Sequence, residues 1–239
     1  MQKNCTFYAI FDKNICVFRF FVVPLQQISI HMRTELRQFK NVPIPSSALQ
    51  TVLPLHASFT HFVSNLVQKQ QLIRLKRGLY IVSPEISNLP LNEMLIANNL
   101  YGPSYVSFST ALNHYGLIDD LSQTTTSACI KEEKHYKTPI GRFDYFAIPR
   151  RYYPIGIKQI IDNESGYLIA TPEKALCDTI IHTSGLNLRS KKDAIIYLEE
   201  DLRFDTDALH SLDTGILQAC ADCGIKSNSI QQIIKLIHP

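Results

Sequence analysis

Arg74, Lys76 and Arg77 place three cations within four positions, immediately ahead of Gly78, in the segment Leu72 to Val82 (LIRLKRGLYIV). Side chains of this kind at the tip of a turn suit the phosphates of a nucleic acid. Leu72–Leu75 and Leu79–Val82 alternate enough to pair as two strands across the turn, and Gly78 supplies the backbone freedom that a tight reversal needs. The run just before carries Phe59, Phe62, Val63, Leu66 and Val67, spaced as one buried helical face requires. Its opposite face holds Thr60, His61, Ser64, Asn65, Gln68 and Lys69. Short polar and cationic side chains suit a helix laid in a major groove, where base edges offer donors and acceptors and phosphates flank them. Helix and hairpin together read as the recognition helix and wing of a winged helix-turn-helix.

Catalytic patterns are scarce by comparison. The sequence has no Gly-rich phosphate loop, no GxGxxG, no HExxH and no GxSxG. Cys220-Ala221-Asp222-Cys223 is a lone CxxC; a structural zinc site needs four ligands, so two buried cysteines on one helical face is the simpler reading. Asp119 or Asp120 with Glu132 could hold Mg²⁺ near a scissile phosphate while Lys134 stabilises charge, but nothing in their spacing fixes a geometry. The expectation is therefore a protein that is not an enzyme, with no cofactor and no metal.

Charge is distributed to match. From Met32 to Val82 there are seven Lys or Arg against one acid, Glu35, whereas residues 83–239 hold 14 bases and 19 acids. A basic module followed by an acidic one is expected when one part meets polyphosphate and the other does something else. The length suits two domains, and 45% apolar residues suffice for real cores. No uninterrupted apolar run reaches the length of a membrane span, and six irregularly spaced cysteines point to a reduced, cytoplasmic setting.

The elements that must position these residues are legible in outline. Thr34–Phe39 and Ser46–Leu53 are candidate first and second helices, with Pro45 and Pro54 bracketing the second. The third runs from Ser58, its expected N-cap, to Lys69. Pro84 to Pro90 reads as a linker and Leu91–Leu100 as a helix. A short helix capped by Ser107 or Ser109 ends at Gly116. Thr124–Ile130, Phe143–Ile148 and Tyr167–Ala170 alternate as strands. A helix over Thr171–Gly185 has Thr171 as N-cap, Pro172 in its first position and a buried stripe of Leu176, Cys177, Ile180 and Ile181. Lys191–Asp201, Asp207–Asp222 and Ser229–Ile237 complete a helical tail. The fold class is thus α+β, with a winged helix-turn-helix over residues 32–83 and a mixed α/β domain over 84–239. Residues 1–31, with the apolar run ICVFRFFVVPL broken by Arg19, read as an extension ahead of a start at Met32 or as an extra strand packed on the first domain, rather than as a secretory signal.

Three stretches carry a family resemblance: RLKRGLYIV at 74–82, GPSYVSFSTALNHYGLI at 102–118 and IATPEKALCDTI at 169–180. In order and separation they resemble the AbiEi antitoxin family, regulators in type IV toxin–antitoxin systems of bacterial phage defence. The resemblance spans about residues 32 to 200. It implies a winged helix-turn-helix that binds operator inverted repeats in double-stranded DNA and represses its own operon. It also implies a second domain that neutralises an AbiEii-type nucleotidyltransferase toxin, with or without a stable complex, and no membrane partner. The DNA-binding role falls on Thr60, His61, Ser64, Asn65, Lys69, Arg74, Lys76 and Arg77. The antitoxin surface falls on Ser104, Tyr105, Ser107, Glu173, Lys174 and Asp178, residues that could equally be structural caps and first-turn charges. A plain winged-helix regulator, whose second domain senses a ligand or mediates dimerisation, is the alternative.

Overall fold

The computed structural model describes residues 34–53, 58–119, 122–162 and 165–237. The expectations for the first 31 residues lie outside these. The described chain is α+β, with two separate sheets.

The first unit begins with a short helix α1 over residues 34–37, then β1 (Ile44–Pro45), α2 (Ser46–Val52), α3 (Phe59–Gln68), β2 (Leu72–Lys76) and β3 (Leu79–Val82). The strands form a three-stranded antiparallel sheet in the order β1-β3-β2. Leu36, Ile44, Leu49, Leu53, Val63, Leu66, Leu72 and Val82 are buried together with Ile86 of α4 (Pro84–Ser87). The segment expected as a linker after the hairpin is therefore partly helical, and Ile86 closes the small core. Gly78 takes a φ of +78°, the conformation for which the turn selects glycine.

The hairpin has two buried sides. Leu72 and Val82 face the small core, but Leu75, Leu79 and Ile81 belong to the larger core of the second unit. A β-bulge lies between Arg74 and Lys76. It inserts Leu75 as an extra residue and moves Lys76 off the face that strict alternation would give it.

The second unit is built on a six-stranded mixed sheet in the order β6-β7-β5-β4-β9-β8. Its strands are β4 (Ser104–Val106), β5 (Thr124–Cys129), β6 (Lys134–Thr138), β7 (Gly141–Ala147), β8 (Ile157–Asp162) and β9 (Ser165–Ala170). β5 runs parallel to β7 and β4 parallel to β9, and the remaining pairs are antiparallel. On one side lies α5 (Glu93–Leu100), where the Tyr145 hydroxyl of β7 donates to the Ala97 carbonyl at 2.7 Å. On the other lie α6 (Phe108–His114) and α7 (Pro172–His182), whose Phe108 and His182 rings pack on Phe146 of β7. α8 (Lys191–Ile196), α9 (Thr214–Asp222) and α10 (Ser227–Ile237) finish the layer.

Helix ends follow local chemistry. Asn92 caps α5 by accepting from the backbone N–H groups of Met94 and Leu95, and Thr171 caps α7 by accepting from Lys174 N–H. Pro172 occupies the first turn of α7, but the helix stops at His182, earlier than Gly185, where the Thr183 hydroxyl donates back to the Thr179 carbonyl. A capping box between Ser190 and Asp193 opens α8, which runs into a π-helical turn over Tyr197–Asp201. The single helix expected over Asp207–Asp222 divides into a 3₁₀ turn (Thr206–Ser211) and α9, because the Asp213 side chain accepts from Gly215 N–H and starts a new helix. Among the described residues no helix is long and apolar enough to cross a membrane.

Candidate nucleic-acid interface

α3 presents the two faces that its sequence implies. Val63 and Leu66 are buried, while Thr60, His61, Ser64 and Lys69 are exposed. Asn65 is half-buried and its amide lies 3.2 Å from Nδ1 of His61, so these two side chains form one polar unit on the outward face. Ser58 occupies the N-cap position of α3, yet its side chain makes no capping bond. The expectation of a side-chain cap there is corrected; the first turn leans on burial of the apolar face rather than on its cap.

Arg74 and Arg77 stand exposed on the hairpin, and no ion pair among the described residues engages either. Exposed guanidinium groups offer the bidentate donors that phosphate takes well. Lys76 differs from its neighbours. Its ammonium donates to the Leu100 carbonyl at the end of α5 and lies 5.7 Å from the centre of the Tyr136 ring of β6. Burial, followed by the nearby Lys131, lowers its pKa. The bulge has turned Lys76 toward the second unit, so the cationic tip comprises Arg74 and Arg77, and Lys76 fastens the hairpin to the body of the molecule.

The six residues expected at an antitoxin surface are all buried: Ser104, Tyr105, Ser107, Glu173, Lys174 and Asp178. Lys174 and Asp178 are 0% exposed, and Lys174 Nζ lies 3.3 Å from Asp178 Oδ1 across one helical turn of α7. The same ammonium donates to the Tyr152 carbonyl at 2.9 Å and sits against the Tyr152 ring. Asp178 Oδ2 accepts from the Tyr105 hydroxyl at 2.9 Å and from the Ser107 hydroxyl at 2.5 Å. Ser107 thus spends its side chain on Asp178 and does not cap α6, contrary to expectation. Glu173 accepts from Asp213 N–H at 2.9 Å, which ties the start of α7 to the start of α9.

A surface role for these six residues is corrected on physical grounds. A buried ion pair whose carboxylate also accepts from two hydroxyls and whose ammonium also donates to a carbonyl is a packing device, closed to a partner. Burial raises the Asp178 carboxyl above the ordinary range, an effect opposed by Lys174 and by the Ser107 and Tyr105 hydroxyls. Burial lowers the Lys174 ammonium, opposed by Asp178. Tyr105 and Tyr152 are both pushed upward, chiefly by burial and then by Asp178. Gly156, at a φ of +59°, lets the loop pass against this pair; a Cβ there would lie 2.8 Å from that of Lys174.

Sequence reasoning passed over Tyr152, whose carbonyl and ring hold Lys174. A tyrosine pair at Tyr152-Tyr153, ahead of Pro154, was its signal. Cys177 and Cys220, both buried, line the same cluster, while Cys223 of the CxxC is half-buried at the C-cap of α9, so the two cysteines are not both buried on one helical face as expected. Among the described residues no group of three His, Cys, Asp or Glu side chains converges as metal ligands would.

No family model matches the chain and no curated protein matches it. Among solved structures, it is similar to the crystal structure of the RV2827C protein from Mycobacterium tuberculosis, at 12% identity, over 91% of this chain and 83% of that one, with a TM-score of 0.49.

Proposed function

We propose that this chain is a DNA-binding antitoxin that represses its own operon. α1, α2, α3 and the β2–β3 hairpin act as a winged helix-turn-helix on operator inverted repeats, with α3 in the major groove and Arg74 and Arg77 on flanking phosphates. The observation that carries the reading is the exposure, in consecutive elements, of a polar helix face, Thr60, His61, Ser64 and Lys69, and of Arg74 and Arg77 on the hairpin that follows. Both lie in a segment with seven bases and one acid. In this reading Thr60, Ser64 and the His61–Asn65 pair read base edges, and Lys69 meets the backbone.

The antitoxin part rests on the resemblance of three stretches to the AbiEi family. Its partner would be an AbiEii-type nucleotidyltransferase toxin. Co-expression of the full chain with the product of the neighbouring gene tests it: restored growth is expected, and continued toxicity contradicts it. A second reading has one observation in its favour. Burial of all six residues assigned to the antitoxin surface suits a regulator whose second domain serves structure and dimerisation. In that case the operator is bound and repressed, and the toxin is not neutralised.

A further inference from the structure

The six-stranded sheet has two open edges of opposite character. β6, at one edge, reads Lys134-His135-Tyr136-Lys137-Thr138, and its exposed cations repel another strand of the same kind, the usual protection of an edge. β8, at the other, reads Ile157-Lys158-Gln159-Ile160-Ile161-Asp162. It pairs only with β9, and Ile161 is 74% exposed, more than any other large hydrophobic side chain among the described residues. Leu168 of β9, 38% exposed, lies on the same face of the sheet, since Ile161 is opposite Gly166 and Gln159 opposite Leu168. An edge of this composition is a template for pairing.

We propose that β8 pairs antiparallel with β8 of a second copy of this chain, about a two-fold axis at Ile160. The charges fix the register. With Ile160 opposite Ile160, Lys158 of each copy falls opposite Asp162 of the other, so two opposite-charge pairs flank a central isoleucine pair. Centring on a residue also keeps each face continuous across the junction: Ile161 extends beside Gln159 of the other copy, on the face that carries Leu168. A register one residue away would instead set Lys158 against Ile161. The interface is isologous, and joins two sheets into one. Asp162 already accepts from Asn92 at 2.9 Å and Lys158 lies over the Tyr115 ring, so both charges are held near the strand. The pairing does not depend on DNA binding. Where the proposed winged unit does bind inverted repeats, a two-fold dimer supplies the matching symmetry.

Sedimentation equilibrium of the full chain without DNA, at concentrations up to about 100 μM, tests the pairing. The chain is expected to be dimeric. Lys158→Glu sets two acids opposite each other twice, and Asp162→Lys does the same with two lysines. Each is expected to raise the dimer dissociation constant about tenfold or more. An equimolar mixture of the two single variants is the decisive arm. In a mixed pair the introduced glutamate of one copy faces the introduced lysine of the other, and the unaltered Asp162 faces the unaltered Lys158. A heterodimer is expected to form where neither variant dimerises alone. Restoration in the mixture also shows that both variants are folded. A monomeric wild-type chain, undiminished dimerisation of the single variants, or a mixture no more dimeric than its components would each overturn the proposal. Binding of Lys158→Glu to a duplex with a single repeat separates this from the DNA reading, because half-site affinity is expected to remain.

Discussion

Charged and hydroxylated side chains occur both on the outward face of α3 with its hairpin and around Lys174 and Asp178 of α7, yet the two settings use them in opposite ways. Arg74 and Arg77 are exposed and engage no acid among the described residues, while Lys174 and Asp178 are sealed, paired and bonded to Tyr105, Ser107 and Tyr152. A motif rich in polar residues thus carries no information about exposure until packing is known. PSYVS and TPEKAL build the centre of the second unit. The basic hairpin buries its apolar residues and keeps Arg74 and Arg77 exposed.

That contrast can be broken most severely at its buried end. Lys174→Met removes one partner and leaves the Asp178 carboxylate without its counter-charge, so a stability loss of about 3–5 kcal/mol is expected from chemical denaturation. Replacing the pair together, Lys174→Met with Asp178→Leu, is expected to recover much of that loss. A Lys174→Met chain as stable as wild type would show that the cluster is not a structural pair.

At the exposed end the effect falls on affinity, with stability unchanged. Arg74→Ala with Arg77→Ala is expected to reduce the slope of log K against log salt by about 0.9 for each phosphate no longer neutralised. The thermal midpoint is expected to stay within the range of ordinary surface changes. Lys76 sharpens the division. Because its ammonium is committed to Leu100, Lys76→Ala is expected to cost about 1–3 kcal/mol of stability and to leave the salt slope unchanged. A reduced slope would return Lys76 to the interface.

The smallest expected effect is local to α8. Ser190→Ala removes one arm of the capping box and is expected to cost about 1 kcal/mol. Asp193, the other arm, is held below its usual range by the Arg189 backbone N–H and then by Ser190. A depressed carboxyl stabilises the fold above its unfolded pKa, and the contribution is lost as pH falls through the folded one. The difference between Ser190→Ala and wild type is therefore expected to shrink in acid.

What the sequence made legible divides along the same line. The apolar period of α3, the glycine turn and the cap at Thr171 follow from local chemistry, and α2, α3, α5 and α7 lie close to their expected bounds. β6 and β8 were missed because edge strands carry charges and break strict alternation, and β4 because its three residues, all buried, show no alternation. Lys76 could not be placed from its spacing, since one bulge residue reverses the face. Burial of the Lys174–Asp178 pair was invisible for a different reason: their partners come from β4 and from the Tyr152 segment, more than 20 residues away in sequence.

The most direct test is a fluorescence-anisotropy titration of the full chain with a duplex that carries the inverted repeats upstream of its own gene, run across a salt series beside a scrambled duplex. Tighter binding to the repeats is expected, with a log–log salt slope that Arg74→Ala with Arg77→Ala flattens. Equal affinity for both duplexes, or an unchanged slope in the double variant, would contradict a DNA-reading face on α3 and its hairpin.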